Sequence, residues 1–283
     1  MKKSRIYSYE RRRMYEGMGF ISIWFIGFIA FMLYPLISSL KVSFTKSTLN
    51  DILGGPFIGF ENYKSVFLDP QFSMYFLDTL TNSLMDIPII VIFSLFVAVL
   101  LNSDIRGRGV FRAVFFIPVI ISGVVMNRLF QQGVSDISIF DTLGGGMLLI
   151  SDMIGSGLFN RMGLIFWRSS VEILIFLAAL QGIPKSQYEA AQVDGATGWE
   201  CFWKITLPYI SPVVLLNMIY ATIDTFTDPL NPMMDFLKNK IFSQFNFGYA
   251  SALSWLYFLV AMIFIAVIIG IGRRFVTYGG DRS

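Results

Sequence analysis

Residues 181–212 read QGIPKSQYEAAQVDGATGWECFWKITLPYISP, the most polar long segment that lies between two strongly apolar ones. Two helix starts follow one another in it. Ser186 with Glu189 three residues on is a capping-box pattern, in which the serine accepts the N3 amide and the glutamate reaches back. Asp194-Gly195 is a stop, because glycine takes the left-handed position after a helix at little cost. Thr197 with Glu200 forms a second box. Trp199, Phe202, Trp203 and Thr206 then recur at helical spacing and form a mostly apolar stripe. Pro208 ends that second helix in this reading, since it brings no amide donor. The expected element is a short helix, a glycine elbow and a second short amphipathic helix, presented between two membrane spans.

The rest of the chain sets the class. Of 283 residues, 55% are hydrophobic, 16% aromatic and only 14% charged, unlike an ordinary soluble domain. Several apolar runs exceed 18 residues and read as transmembrane helices. The net charge of +3 is small, so nucleic acid is not implied. Histidine is absent, which excludes Ser-His-Asp and Cys-His catalysis and a histidine-ligated metal within this chain. The single cysteine, Cys201, has no internal disulfide partner. No G-x-x-x-x-G-K-[ST] sequence occurs, so the chain carries no Walker A phosphate loop.

Taken in order, residues 1–16 form a basic segment with Lys2, Lys3, Arg5, Arg11, Arg12 and Arg13. Spans are expected at 17–40, 78–101, 113–131, 159–180, 209–228 and 247–272. The first is too long for a signal-peptide core, and no small-residue cleavage site follows it. With alternate connections inside, 14 Lys and Arg fall inside and 6 outside. The positive-inside rule therefore puts both termini in the cytoplasm. The expected fold is an all-α polytopic membrane protein of six transmembrane helices in one domain over 17–274. A cytoplasmic loop spans 182–208, and a cytoplasmic tail covers 275–283.

Polar residues inside spans are the candidates for a solute path, since lipid cannot satisfy them. Asn217, Tyr220 and Asp224 fall at i, i+3 and i+7 on one face of the fifth span. Arg168 and Glu172 are four apart on the fourth and are expected to pair. Trp167 beside them offers a flat face for stacking. Asn82 and Asp86 form a weaker i, i+4 pair on the second. Each set reads equally as helix–helix hydrogen bonding.

Glu189-Ala190-Ala191, Asp194-Gly195-Ala196 and then Phe202, Ile205, Leu207 and Pro208 resemble the EAA loop of bacterial ABC importer permeases. Phe57 to Tyr63 and Asp69-Pro70 with Phe72 resemble the FxGLxNY and DPxF signatures of the carbohydrate-uptake type. With Tyr34-Pro35 and the lead-in at 178–184, the chain resembles the first permease of a pair, the maltose permease F-like or glycerol-phosphate permease A-like subunits. The resemblance implies a type I ABC importer transmembrane domain in a bacterial inner (cytoplasmic) membrane. The implied partners are a second homologous permease, two ABC ATPase subunits that dock on the EAA loop, and an extracytoplasmic solute-binding protein. It further implies that ATP and Mg are bound by the ATPases, with no cofactor in this chain, and that Glu189, Ala190, Ala191, Asp194, Gly195 and Ala196 carry the coupling. The implied transport subunit is no enzyme. Its first substrate choice is an oligosaccharide, its second glycerol phosphate or another polyol derivative. An ion-coupled secondary transporter is the rival class, but it leaves the EAA loop unexplained.

Overall fold

Backbone groups in a bilayer must find partners within the chain, and helices satisfy them locally. The computed structural model describes residues 3–48, 51, 55–103, 109–110, 113–115, 156–228, 231–274 and 276. Helix α1 (Lys3–Phe28) continues through a π-helical turn, Ile29–Leu33, into α2 (Tyr34–Ser43). Then come α3 (Glu61–Leu68), α4 (Pro70–Asn102), α5 (Ser156–Gln181), α6 (Lys185–Val193) and α7 (Gly198–Cys201). A second π turn, Phe202–Thr206, leads into α8 (Leu207–Thr227), followed by α9 (Pro232–Phe242) and α10 (Phe247–Gly272).

Among the described residues, Met14–Ser43, Pro70–Asn102, Gly198–Thr227 and Phe247–Gly272 are helices long and apolar enough to cross a membrane. Ile165–Gln181 joins them if counted with Lys185–Val193, toward which it bends by 63°. The third expected span, 113–131, lies outside the described residues beyond its first three. The second span begins eight residues earlier than its apolar pattern suggested, because Asp69 and Pro70 start the helix. Asp69 Oδ1 accepts the Gln71 amide at 3.0 Å, and Pro70 needs no donor in the first turn.

Pro208 does not end its helix. The backbone runs from Gly198 to Thr227 as one helix. In the π turn, Leu207 N–H bonds back to Phe202 O, five residues away. A π turn carries one surplus residue and so one surplus carbonyl, and the next residue, Pro208, is the one with no donor to give. The first span repeats this solution: Tyr34 N–H reaches Ile29 O, and Pro35 follows.

The chain divides into two compact units. In the first, residues 1–73 with 236–258, the FxGxxNY-like segment has a structural job at each position. Phe57 stacks on Phe44, and Gly59 turns the chain at φ +61°. Asn62 Nδ2 donates to Ser43 O at 2.8 Å and Thr45 O at 2.9 Å, while Tyr63 and Ser43 share a hydroxyl bond of 2.7 Å. Gly248 lies so close to Thr45 O and Asn62 that a Cβ there would collide with both. Asp69 Oδ2 accepts from Tyr249 OH at 2.8 Å and from Lys240 Nζ at 3.3 Å. Partial burial pushes the Asp69 carboxyl up, but the bonds from Tyr249, the Gln71 amide and Lys240 outweigh it and hold the group below the usual carboxylate range.

In the second unit, residues 74–235 with 259–283, α4, α5 and α8 share an apolar core. Ile87, Ile90 and Ala98 meet Ile173, Phe176 and Ile210 there. Hydroxyls in the spans largely bond their own helix, as Ser170 does to Trp167 O at 2.9 Å and Thr222 to Met218 O at 2.7 Å, which hides them from lipid. Asn231 caps α9 through the Met233 amide at 3.0 Å, donates to Thr225 O at 3.2 Å and accepts from Thr79 at 2.9 Å.

Asn62→Ala leaves two buried carbonyls unpaired. A stability loss of about 1–3 kcal/mol is expected, read as a lower melting temperature of the purified protein. Asn62→Asp should do no better, since a carboxylate has no proton to donate. An unchanged melting temperature in both variants would refute the clamp.

Candidate functional site

The polar loop folds much as its glycine and capping residues dictate. Helix α6 ends in a Schellman motif: Ala196 N–H bonds to Ala191 O at 2.9 Å and Gly195 N–H to Gln192 O at 3.0 Å, with Gly195 at φ +78°. The Thr197–Glu200 box forms in both directions, at 2.9 and 3.3 Å. The Ser186–Glu189 box does not form. Pro184, extended at ψ 129°, takes the N-cap position of α6, and no side chain caps it. Ser186 is therefore already inside the helix, and Glu189 is released from capping. Glu189, Ala190, Asp194 and Gly195 are exposed, and Ala191 and Ala196 are half-buried. Val193 at the elbow is 89% exposed, and Trp199 just beyond it 70%.

The apolar stripe after the elbow is only partly covered. Thr206 and the neighbouring Cys201 are buried, whereas Trp199 and Trp203 stand outward, edge to face at 5.6 Å. Beneath the elbow, Tyr188 and Thr206 share a hydroxyl bond of 2.8 Å. Tyr209 OH donates to Gly182 O at 3.2 Å.

The second candidate region lies between α5 and α8. Arg168 does not pair with Glu172, one turn along its own helix. It forms an ion pair with Asp228, at the end of α8. Glu172 is fully buried, and neither carboxylate oxygen has a hydrogen-bond partner among the described residues. Asn217, also fully buried, donates to the Glu172 backbone carbonyl at 3.3 Å, so it packs helix against helix. Tyr220 and Asp224 are half-buried on α8 and lie within electrostatic range of Glu172. Five of the predicted residues thus gather with Asp228, which the sequence reading had treated only as a span end. Its spacing of four from Asp224 extends the same stripe and was the available signal. Trp167 is half-buried beside them. Asn82 bonds back to Asp78 at 3.0 Å instead of forward to Asp86; Asp86 is half-buried on α4. This arrangement can offer hydrogen bonds and charge to a polar solute.

Residues 70–279 match the family model for "Binding-protein-dependent transport system inner membrane component". The chain is 32% identical over 302 residues to the probable ABC transporter permease protein YesP of Bacillus subtilis (strain 168), covering 98% of this chain and 96% of that one. It is 30% identical over 233 residues to the arabinooligosaccharides transport system permease protein AraP of Halalkalibacterium halodurans, covering 80% and 72%. Among solved structures it is similar to a chain of a bacterial alginate ABC transporter in complex with alginate pentasaccharide-bound periplasmic protein. There the TM-score is 0.75 and the identity 19%, over 95% of this chain and 98% of that one, a likeness of fold.

Arg168→Met removes the cation of the Arg168–Asp228 ion pair, and a loss of about 3–5 kcal/mol is expected, read as a fall in the yield of folded protein from membranes. Arg168→Met with Asp228→Leu should recover most of that yield. A double variant as poor as the single one would show that the pair is not the source.

Proposed function

The chain belongs to the family of binding-protein-dependent transport system inner membrane components, and from that premise we propose how it works. It is a multi-pass inner membrane subunit of a carbohydrate ABC importer, a transport component and not an enzyme. Membership of this family sets aside the ion-coupled secondary transporter. The proposed cargo is an oligosaccharide, the class named for the arabinooligosaccharide relative.

The observation that carries the mechanism is the exposed helix and elbow at 185–201. Glu189 stands exposed, freed from any capping duty, and a carboxylate there suits a charge-assisted bond to an arginine of a soluble partner. Val193 and Trp199 supply apolar surface beside it, and the small Ala190 allows close approach. In the proposed assembly, Glu189, Ala190, Ala191, Asp194, Gly195 and Ala196 seat in an ATPase subunit. Two such ATPases hold the ATP and Mg, for which this chain has no Walker A loop. A second homologous permease completes the translocation path, and a solute-binding protein delivers cargo from outside. ATP-driven closure of the ATPases displaces the elbows and turns the cavity outward, and hydrolysis resets it. Tyr220, Asp224, Glu172, Arg168 and Trp167 flank the sugar in this reading, with Asn217 holding the two helices together. Residues 1–16, 182–208 and 275–283 face the cytoplasm.

Glu189→Lys places like charge at the dock. Sugar-stimulated ATP hydrolysis by the assembled complex should fall roughly tenfold or more, as expected for a charge-assisted bond of about 1.5–3 kcal/mol. Normal hydrolysis would remove Glu189 from the interface.

Single cysteines in a Cys201→Ser background test orientation and path together. An impermeant thiol reagent should reach position 64 only from outside and position 193 only from inside. Position 220 or 224 should label in one nucleotide state more than in the other. The opposite sidedness would overturn the topology, and no labelling at 220 or 224 in any state would remove them from the path.

A further inference from the structure

The elbow meets the membrane helix beside Tyr188 and Thr206. A cavity of about 310 Å³ opens beneath it, lined by Val99 and Asn102 of α4, Leu180 of α5 and Gln192 of α6, with Tyr188 and Thr206 on its wall. Among the described residues, side-chain packing therefore leaves space between α6 and the base of α8. Across it runs an ordered series of hydroxyls. Thr206 Oγ1 lies 3.4 Å from Cys201 O, to which it can donate, and 2.8 Å from the Tyr188 hydroxyl, where either oxygen can be the donor. One end of this series lies in α6. The other lies on the π turn, where the backbone has a surplus carbonyl and the helix is least regular.

We propose that the Tyr188–Thr206–Cys201 series is the strut that makes α6 and the fifth span move as one body. Displacement of α6 then reaches the span instead of being absorbed in the void. The inference rests on the importer reading above and adds positioning residues to it. Tyr188 and Thr206 touch no solute in this account. They fix the angle between the docking helix and the span, and Tyr209, through Gly182 O, braces the same loop from its other side.

The test uses the whole complex in proteoliposomes, with nitroxide labels at Val193→Cys and Ile223→Cys in a Cys201→Ser background. That substitution leaves the series intact, because residue 201 contributes only its backbone carbonyl. The 193–223 distance should be single and narrow, and the same without nucleotide and with ATP bound. In Tyr188→Phe a second distance should appear with ATP. The detached fraction should rise about fivefold, the factor for one neutral hydrogen bond of about 1 kcal/mol. Thr206→Val should behave alike, the double variant no worse, and Thr206→Ser like the parent. Sugar carried per ATP should fall in the variants that show two distances. Narrow, unchanged distances in Tyr188→Phe and Thr206→Val would overturn the strut. An unlabelled complex that carries no oligosaccharide would instead refute the cargo reading, while the distances still decide the strut.

Discussion

Lipid offers no hydrogen-bond partner, so each donor and acceptor carried through the bilayer must be matched within protein. Much of this structure follows from that demand. Serines and threonines in the spans turn back onto their own helix carbonyls. Two prolines that would break helices are each preceded by a π turn whose surplus residue absorbs the missing donor. Where local repair fails, the group finds a partner on another element, as Arg168 does in Asp228. Among the described residues Glu172 is an exception, with both oxygens unmatched, as are Ser83 Oγ, Asn217 Oδ1 and Thr225 Oγ1. An unmatched buried carboxyl group is costly.

The polar loop at 182–208 lives under the opposite regime. Water can satisfy its backbone, so its order must come from chemistry written locally: a Schellman motif at Gly195 and a capping box at Thr197. The result leaves Glu189, Val193 and Trp199 exposed on a short, well-defined surface. Such a surface costs little further entropy when a partner seats on it.

This contrast explains what the sequence made legible. The elbow at Gly195 and the box at Thr197 could be read because their causes lie within four residues. The last span, Phe247–Gly272, was read to its ends because nothing charged interrupts it. The Ser186 box was misread because Pro184, already extended, occupies the cap position two residues earlier. Pro208 was misread as a stop because the rule for proline assumes a regular α-helix before it. Arg168 was assigned the wrong partner because the i, i+4 rule sees one helix, while Asp228 arrives from another 60 positions on. The FxGxxNY-like segment was located correctly, but its work as a clamp on Ser43 and Thr45 depends on contacts that no spacing reveals.

The π turn at 202–206 has a rotational consequence. Trp199 and Asn217 are separated by about five full turns of a regular α-helix, so an unbroken helix would set them on one face. The single surplus residue slips the phase by about 100°. Asn217 is fully buried, while Trp199 is 70% exposed. One continuous helix thereby presents two azimuths, one chosen by the membrane core and one by whatever meets its loop end. Its two ends can be tuned in composition independently, since neither face is the continuation of the other.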